Sequence, residues 1–172
     1  QNLTTTIDDF RNFYKPNKKS VVTTLEHVVE KALSIVEKSL EVQGTKLILD
    51  AQSKKEIKLF ENEMMQVILN ILKNAQDNFE DKKIKNPEIK ITIKENSIII
   101  CDNGGGIPDD KIEKIFDPYF STKDEKNGTG LGLYMSKIIV EEHHNGKFSV
   151  KNKNEIVGTG VGACFIIELL EE

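Results

Sequence analysis

Two strand-like runs stand back to back in the middle of this chain, and they exclude a large group of folds. "EIKITIK", Glu88 to Lys94, alternates polar and apolar residues as a half-buried strand does, and Ser97 to Cys101 is a fuller apolar strand. Only Glu95-Asn96 separates them, so the pair reads as a hairpin. Around it the order of elements is mixed. A helix is read over about 24–41, with Leu25, Val28, Val29, Ala32, Leu33, Val36 and Leu40 on its apolar face, Thr23 or Thr24 as its cap and Gly44 as its stop. Short strands follow at Lys46–Asp50 and Glu56–Phe60, then a second helix over about 61–80 and the turn Asn86-Pro87. After the hairpin, Asp109 reads as the cap of a short helix through Ile115, and a Gly-, Lys- and Asp-rich loop spans about 117–129. A third long helix, about 130–143, ends at Asn145-Gly146, and strands Lys147–Lys151 and Ala163–Leu169 close the chain. Strict β-α-β alternation is missing. The expected class is therefore α+β, a two-layer sandwich with helices on one face of a mixed sheet, rather than a doubly wound fold.

Length and charge narrow the function classes. The 172 residues suit one domain with one core, and 30% are charged, with both signs interspersed. The net charge of −4 offers no basic footprint for nucleic acid. No apolar run approaches the roughly 20 residues of a membrane span. The start, Gln1-Asn2-Leu3, carries neither an initiator Met nor a signal-peptide pattern, and the chain is read as a fragment of a longer protein. The fragment is expected to be cytoplasmic, with a membrane anchor elsewhere left open. Cys101 and Cys164 lie far apart in apolar stretches and read as buried free thiols, which suits a reducing compartment. No metal-ligand spacing of Cys or His occurs.

Three segments carry chemistry. In "ENEMMQVILNILKNAQDNF", Met65, Ile68, Leu72, Ala75 and Phe79 form the core stripe, and Asn70, Asn74 and Asp77 share the opposite face. A solvated stripe would favour Lys, Glu and Gln. Two asparagines one turn apart can instead offer oxygen atoms to a hard cation such as Mg²⁺. The second segment is "DNGGG", Asp102-x-Gly104-x-Gly106, directly after a strand. Read alone, it is a glycine-rich loop between strand and helix. The third is "FDPYFSTKDEKNGTGLGLYMSK", where Gly128, Gly130 and Gly132 precede an apolar-periodic helix. Leu133 stands where the dinucleotide fingerprint needs its third glycine, and no Walker lysine is present. Free backbone N–H groups at a helix start still suit an anion.

In this order the motifs resemble the catalytic, ATP-binding domain of two-component sensor histidine kinases. These belong to the ATPase superfamily that also holds DNA gyrase and a heat-shock chaperone, with its Bergerat-type fold. Asn70 and Asn74 match the N box; Asp102, Gly104 and Gly106 match the first glycine box. Phe116 and Phe120 look like the F box, Gly128, Gly130 and Gly132 match the second glycine box, and Gly158 to Phe165 is similar to the closing glycine segment.

The resemblance implies a protein-histidine kinase with ATP and Mg²⁺ as cofactors. Asp102 would accept a hydrogen bond from the adenine amine, and Gly104 and Gly106 would let the chain pass close to the base. Asn74 would ligate Mg²⁺, and Asn70 would lie beside the phosphates or the metal's water shell. ATPase relatives carry a glutamate there as general base; an Asn cannot take a proton, which argues for phosphoryl transfer over hydrolysis. The loop 117–129 would be the ATP lid, with Lys123 as its cation and Thr129, Gly130, Leu131, Gly132 and Leu133 wrapping the phosphates. The implied nucleotide site also takes in Asp77, Asn78, Ile107, Phe120, Thr122, Gly128 and Gly162.

Two departures matter. Many family members have a Lys and then an aromatic where this chain has Asp77 and Asn78, so the adenine stacking partner is unassigned and Asp77 is read as supporting the metal through water. Nor does any of the three histidines fit the family's His-acid-x-x-x-Pro acceptor context. The acceptor would therefore lie on a dimerisation domain outside this chain. Residues 1–19, with Ile7, Phe10, Phe13 and Tyr14 at helical spacing, resemble the end of a dimerisation helix and its linker, and residues 20–172 the catalytic domain. A homodimer and a downstream response regulator would be the partners, with no nucleic acid. A regulatory nucleotide-binding module without transfer activity, and a serine-directed kinase of the same superfamily, are the competing readings.

Overall fold

The computed structural model describes residues 19–118, 131–157 and 160–169. The proposed dimerisation-helix tail over 1–18 lies outside them. So do Phe120, Thr122, Lys123, Gly128, Thr129, Gly130 and Gly158.

The chain enters through a short strand, β1 (Val21–Thr24), which the sequence reading missed. It pairs antiparallel with β3 (Glu56–Leu59), forming a two-stranded sheet. Thr24 then caps helix α1 (Leu25–Gln43): its hydroxyl accepts from the His27 N–H at 3.1 Å. Gly44, at φ 79°, ends that helix with a left-handed cap, as the sequence suggests. Strand β2 (Lys46–Ala51) follows, and beyond β3 comes helix α2 (Glu61–Asp81). The hairpin is β4 (Glu88–Ile93) and β5 (Ser97–Asp102).

After the glycines, the short helix expected from Asp109 to Ile115 is replaced by successive turns, with the Lys111 N–H bonded to Pro108 and that of Lys114 to Lys111. Helix α3 (Gly132–Ile138) widens into a π-helical turn over Ile139–His143, and Asn145 takes a left-handed φ of 54° beyond it. Strand β6 (Lys147–Asn152), the short helix α4 (Lys153–Val157), which the sequence reading also missed, and β7 (Ala163–Glu168) complete the described chain.

Among the described residues the main sheet has five strands in the order β2-β4-β5-β7-β6. The β2–β4 pair is parallel and the others are antiparallel, so the sheet is mixed as expected. Ile89, Ile91 and Ile93 on β4 and Ile98 and Ile100 on β5 are buried, while Lys90 between them is exposed. That alternation gives the sheet one covered face, and α1, α2 and α3 supply the cover. From α2 come Met64, Val67, Ile68, Ile71, Leu72, Ala75 and Phe79, a wider stripe than the sequence pattern suggests, with Met65 only half-buried at its edge. Burying each large side chain of this kind is worth about 1.5–3 kcal/mol.

One expectation fails outright. Cys101 and Cys164 are not free thiols; they face each other across β5 and β7 and are joined in a disulfide. Antiparallel register brings together two residues that are 63 apart in sequence, a pairing that spacing alone does not reveal.

Candidate nucleotide-binding site

The site is built where β5 ends against the C-terminal half of α2. Asp102, last residue of β5, is 3% exposed, and its Oδ1 accepts from the Gly104 N–H at 2.8 Å. Burial raises its pKa above the ordinary 3.8. Hydrogen bonds from the Gly104 and Ala163 amides, and the charges of Lys82 and Lys153, pull the other way.

The glycines around it have separate steric reasons. A Cβ on Gly104 would stand 3.2 Å from the Asn78 Cβ, 3.2 Å from Asp102 Oδ1 and 3.3 Å from the Phe79 ring. The loop thus packs on α2 at Asn78 and Phe79. Gly162, at φ 154°, comes closer still: a Cβ there would be 1.8 Å from the Asp102 carbonyl oxygen. Gly106 was expected to make room for a base. A Cβ there would lie 2.8 Å from the Asn152 Oδ1, so its immediate neighbour is a side-chain amide.

That amide is one of two that hold the loop. The Ile107 N–H donates to Asn152 Oδ1 at 2.8 Å, and Asn152 Nδ2 donates to the Ile107 carbonyl at 3.0 Å. On the other side, the Glu88 N–H donates to Asn103 Oδ1 at 2.7 Å, and Asn103 Nδ2 donates to the Asn86 carbonyl at 3.0 Å. Neither asparagine figures in the sequence reading. A lone Asn beside a strand end looks like turn chemistry, and nothing in the pattern distinguishes these two. Lys82 was missed as well; it follows a helix end and lies against Gly105.

Further along α2, Asn70 reaches the start of α3. Its Nδ2 donates to the Gly132 carbonyl at 3.1 Å and to Ser136 Oγ at 3.1 Å, while Gln66 Nε2 donates to its Oδ1 at 3.0 Å. The structure therefore joins the Asn-rich helix to the last glycine of "GTGLG". Leu131 is buried, and Leu133 packs against the core. Asn74 and Asp77 lie half-buried on the same side of α2, with Asp77 paired to Lys73 at 3.8 Å. Phe116 packs against Phe148 at a centroid distance of 5.1 Å with the rings tilted by 54°, and Lys137 Nζ lies 5.0 Å over the Phe116 ring.

The histidines lie elsewhere. His27 is exposed on α1. His143 Nδ1 lies 3.0 Å from the buried Glu63 carboxylate. His144 accepts from the Phe60 N–H on Nε2 at 3.1 Å and meets the Ile139 carbonyl through Nδ1 at 2.8 Å, which fixes the neutral tautomer; burial lowers its pKa.

Residues 60–172 match the sequence signature described as "Histidine kinase-, DNA gyrase B-, and HSP90-like ATPase", which covers more than half of the chain. The chain belongs to this family. Among relatives of this ATPase domain, the sensor histidine kinase ZraS of Salmonella typhimurium is 31% identical over 170 residues, 97% of this chain and 35% of that protein. An NtrY-like putative sensor histidine kinase of Rickettsia conorii is 40% identical over 80 residues, 45% of this chain and 13% of that protein. The chain thus spans about a third or less of these relatives' length. The catalytic domain of histidine kinase ThkA superposes with a TM-score of 0.71 at 25% identity, over 88% of this chain and 97% of that one. The mycobacterial sensor histidine kinase MprB shares the fold, with a TM-score of 0.69 at 18% identity over 88% and 99%. The ATPase fold expected from the motifs is the fold observed.

Proposed function

We propose that this ATPase domain binds Mg-ATP and transfers its γ-phosphoryl group to a histidine on a dimerisation domain that this chain does not contain. One observation carries the reading: a buried carboxylate, Asp102, sits at a strand end between two glycines that let other backbone approach it closely. It accepts from the Gly104 N–H, and a carboxylate has about four acceptor positions, which leaves capacity for the adenine amine. Lys82 and Lys153 favour its charged form, the one that accepts best.

At the phosphate end, Asn74 would hold Mg²⁺ through its amide oxygen, with Asp77 acting through water. Mg²⁺ suits so sparse a donor set, because it keeps several waters and takes the rest of its ligands from phosphates. When bound, the ion would neutralise charge on the transferring group. Asn70 spends both amide hydrogens on α3, so what it still offers is an acceptor, suited to the metal or its water and unsuited to a phosphate oxygen. The lid residues Lys123, Gly128, Thr129 and Gly130 would close over the β- and γ-phosphates. A homodimer, a response regulator and a cytoplasmic setting belong to the same proposal. ThkA has been solved in complex with a response regulator, at 20% identity and TM-score 0.68 to this chain, which supports the fold relation.

The base-reading role is tested with Asp102→Asn. ATP should bind at least about tenfold more weakly, the worth of a charge-assisted hydrogen bond, and inosine triphosphate should lose less, because the amide NH₂ can face its oxo group. Equal losses end the assignment. Transfer is tested by mixing the chain with a separate dimerisation domain bearing the acceptor: phosphohistidine should form there, and none on this chain alone. Asp77 favours a second reading, since its acid stands where many relatives have a lysine. Tight ATP binding with no transfer to the added domain would select that regulatory module.

A further inference from the structure

We infer that Asn152 is a positioning residue for the base end of the site, setting the distance between Asp102 and Ile107 and hence the preference for adenine. The inference rests on the base-reading role proposed for Asp102. Asn152 is the last residue of β6 and stands opposite Ala163 in the β6–β7 register. The Ala163 amide is among the groups that favour the charged form of Asp102. The Asn152 side chain bonds both backbone groups of Ile107, donor to acceptor and acceptor to donor, as a neighbouring strand would. One strand pair thus grips both walls of the loop, Asp102 on one side and Ile107 on the other.

Asn152 is itself held in place. Its N–H donates to Glu155 Oε2 at 3.2 Å, and the next N–H, of Lys153, donates to the Gly162 carbonyl at 2.8 Å. Gly162 is the residue packed on the Asp102 carbonyl. The arrangement also accounts for Gly106, where a Cβ would meet the Asn152 amide, 2.8 Å from its oxygen and 3.5 Å from its carbon. The glycine makes room for the clamp. The clamp in turn keeps the loop against the sheet.

The test measures ATP and inosine triphosphate affinities by calorimetry on this chain, with thermal midpoints alongside. Asn152→Ala should lower the ATP-to-inosine preference about tenfold, the scale of one or two hydrogen bonds. Asn152→Asp keeps the shape and the acceptor but opposes a second oxygen to the Ile107 carbonyl, and should do the same. Gly106→Ala should weaken ATP about tenfold in the parent chain and much less in the Asn152→Ala background, where the clash is gone. An unchanged preference in folded Asn152→Ala and Asn152→Asp proteins overturns the inference, whatever happens to the midpoint. Additive losses in the double variant overturn it too. The base-reading role fails separately, through equal ATP and inosine losses in Asp102→Asn, and the Gly106–Asn152 coupling remains readable in that event.

Discussion

The two ends of the proposed nucleotide site, for base and for phosphate, are held by different parts of the molecule. At the base end the polar groups are anchored through the sheet. Asp102 ends β5, and the flanking loop is bonded to the end of β6 and to the start of β4. At the phosphate end the described anchor is a helix–helix bridge, from Asn70 on α2 to Gly132 and Ser136 on α3. Sheet registry fixes positions through many backbone bonds at once, whereas the helix bridge depends on a few side-chain bonds. Among the described residues the base end is therefore the more extensively anchored of the two, and damage to the sheet should cost more than damage to the bridge.

The largest expected effect comes from the cross-link beside Asp102. In the chain-entropy account, a disulfide closing a loop of 63 residues stabilises by about 4 kcal/mol. Urea denaturation with and without reductant, and of the Cys101→Ser/Cys164→Ser variant, should show a loss of that order. Because Cys101 precedes Asp102 on the same strand, the loss should be accompanied by weaker ATP binding. A midpoint indifferent to reductant would sharpen the comparison, by showing that the base end owes its rigidity to packing and registry alone.

Element type was legible wherever periodicity was strong. The alternation in β4 and the apolar faces of α1 and α2 placed those elements to within a residue or two, because burial on one side leaves a regular trace. Short elements left none: Val21–Thr24 is a strand only because Glu56–Leu59 lies beside it. The capping chemistry at Asp109 is followed by turns over 109–116 and no helix, so a cap residue alone did not locate an element. In the site, Asp102 and its glycines could be found through the motif, but the reason for Gly106 could not, because its neighbour Asn152 is 46 residues away in the chain and meets it only through sheet topology. The same physics hid the disulfide. Contacts set by registry across non-adjacent strands have no signature in local sequence.

A smaller effect is expected at the helix bridge. Ser136 is fully buried; its Oγ donates to the Gly132 carbonyl at 2.8 Å and accepts from Asn70 Nδ2. Ser136→Ala removes both bonds and leaves Asn70 one acceptor on α3. The loss in urea denaturation should be about 1–2 kcal/mol. The preference for ATP over inosine triphosphate should stay unchanged, since that is set at the other end. A shifted preference would show the two ends coupled through α2, which carries Asn70 and Asn78 alike.

The smallest effect is decided by its sign. Burial raises the pKa of Asp102 above 3.8, against the opposing pull of the Gly104 and Ala163 amides and of Lys82 and Lys153. Between 3.8 and the raised value the folded protein keeps a proton that the unfolded chain has lost. Stability from this group is thus fully present below 3.8, falls as pH rises through the raised value, and is level above it. The amide introduced by Asp102→Asn cannot titrate. The stability of the Asp102→Asn protein minus that of the parent should therefore grow with pH across that window and then stay constant, even as the variant loses affinity for ATP. Denaturation of both proteins from acid to neutral pH measures the difference directly. If it shrinks with rising pH instead, the amides and lysines outweigh burial, and the base end holds its carboxylate charged at a net gain before any nucleotide arrives.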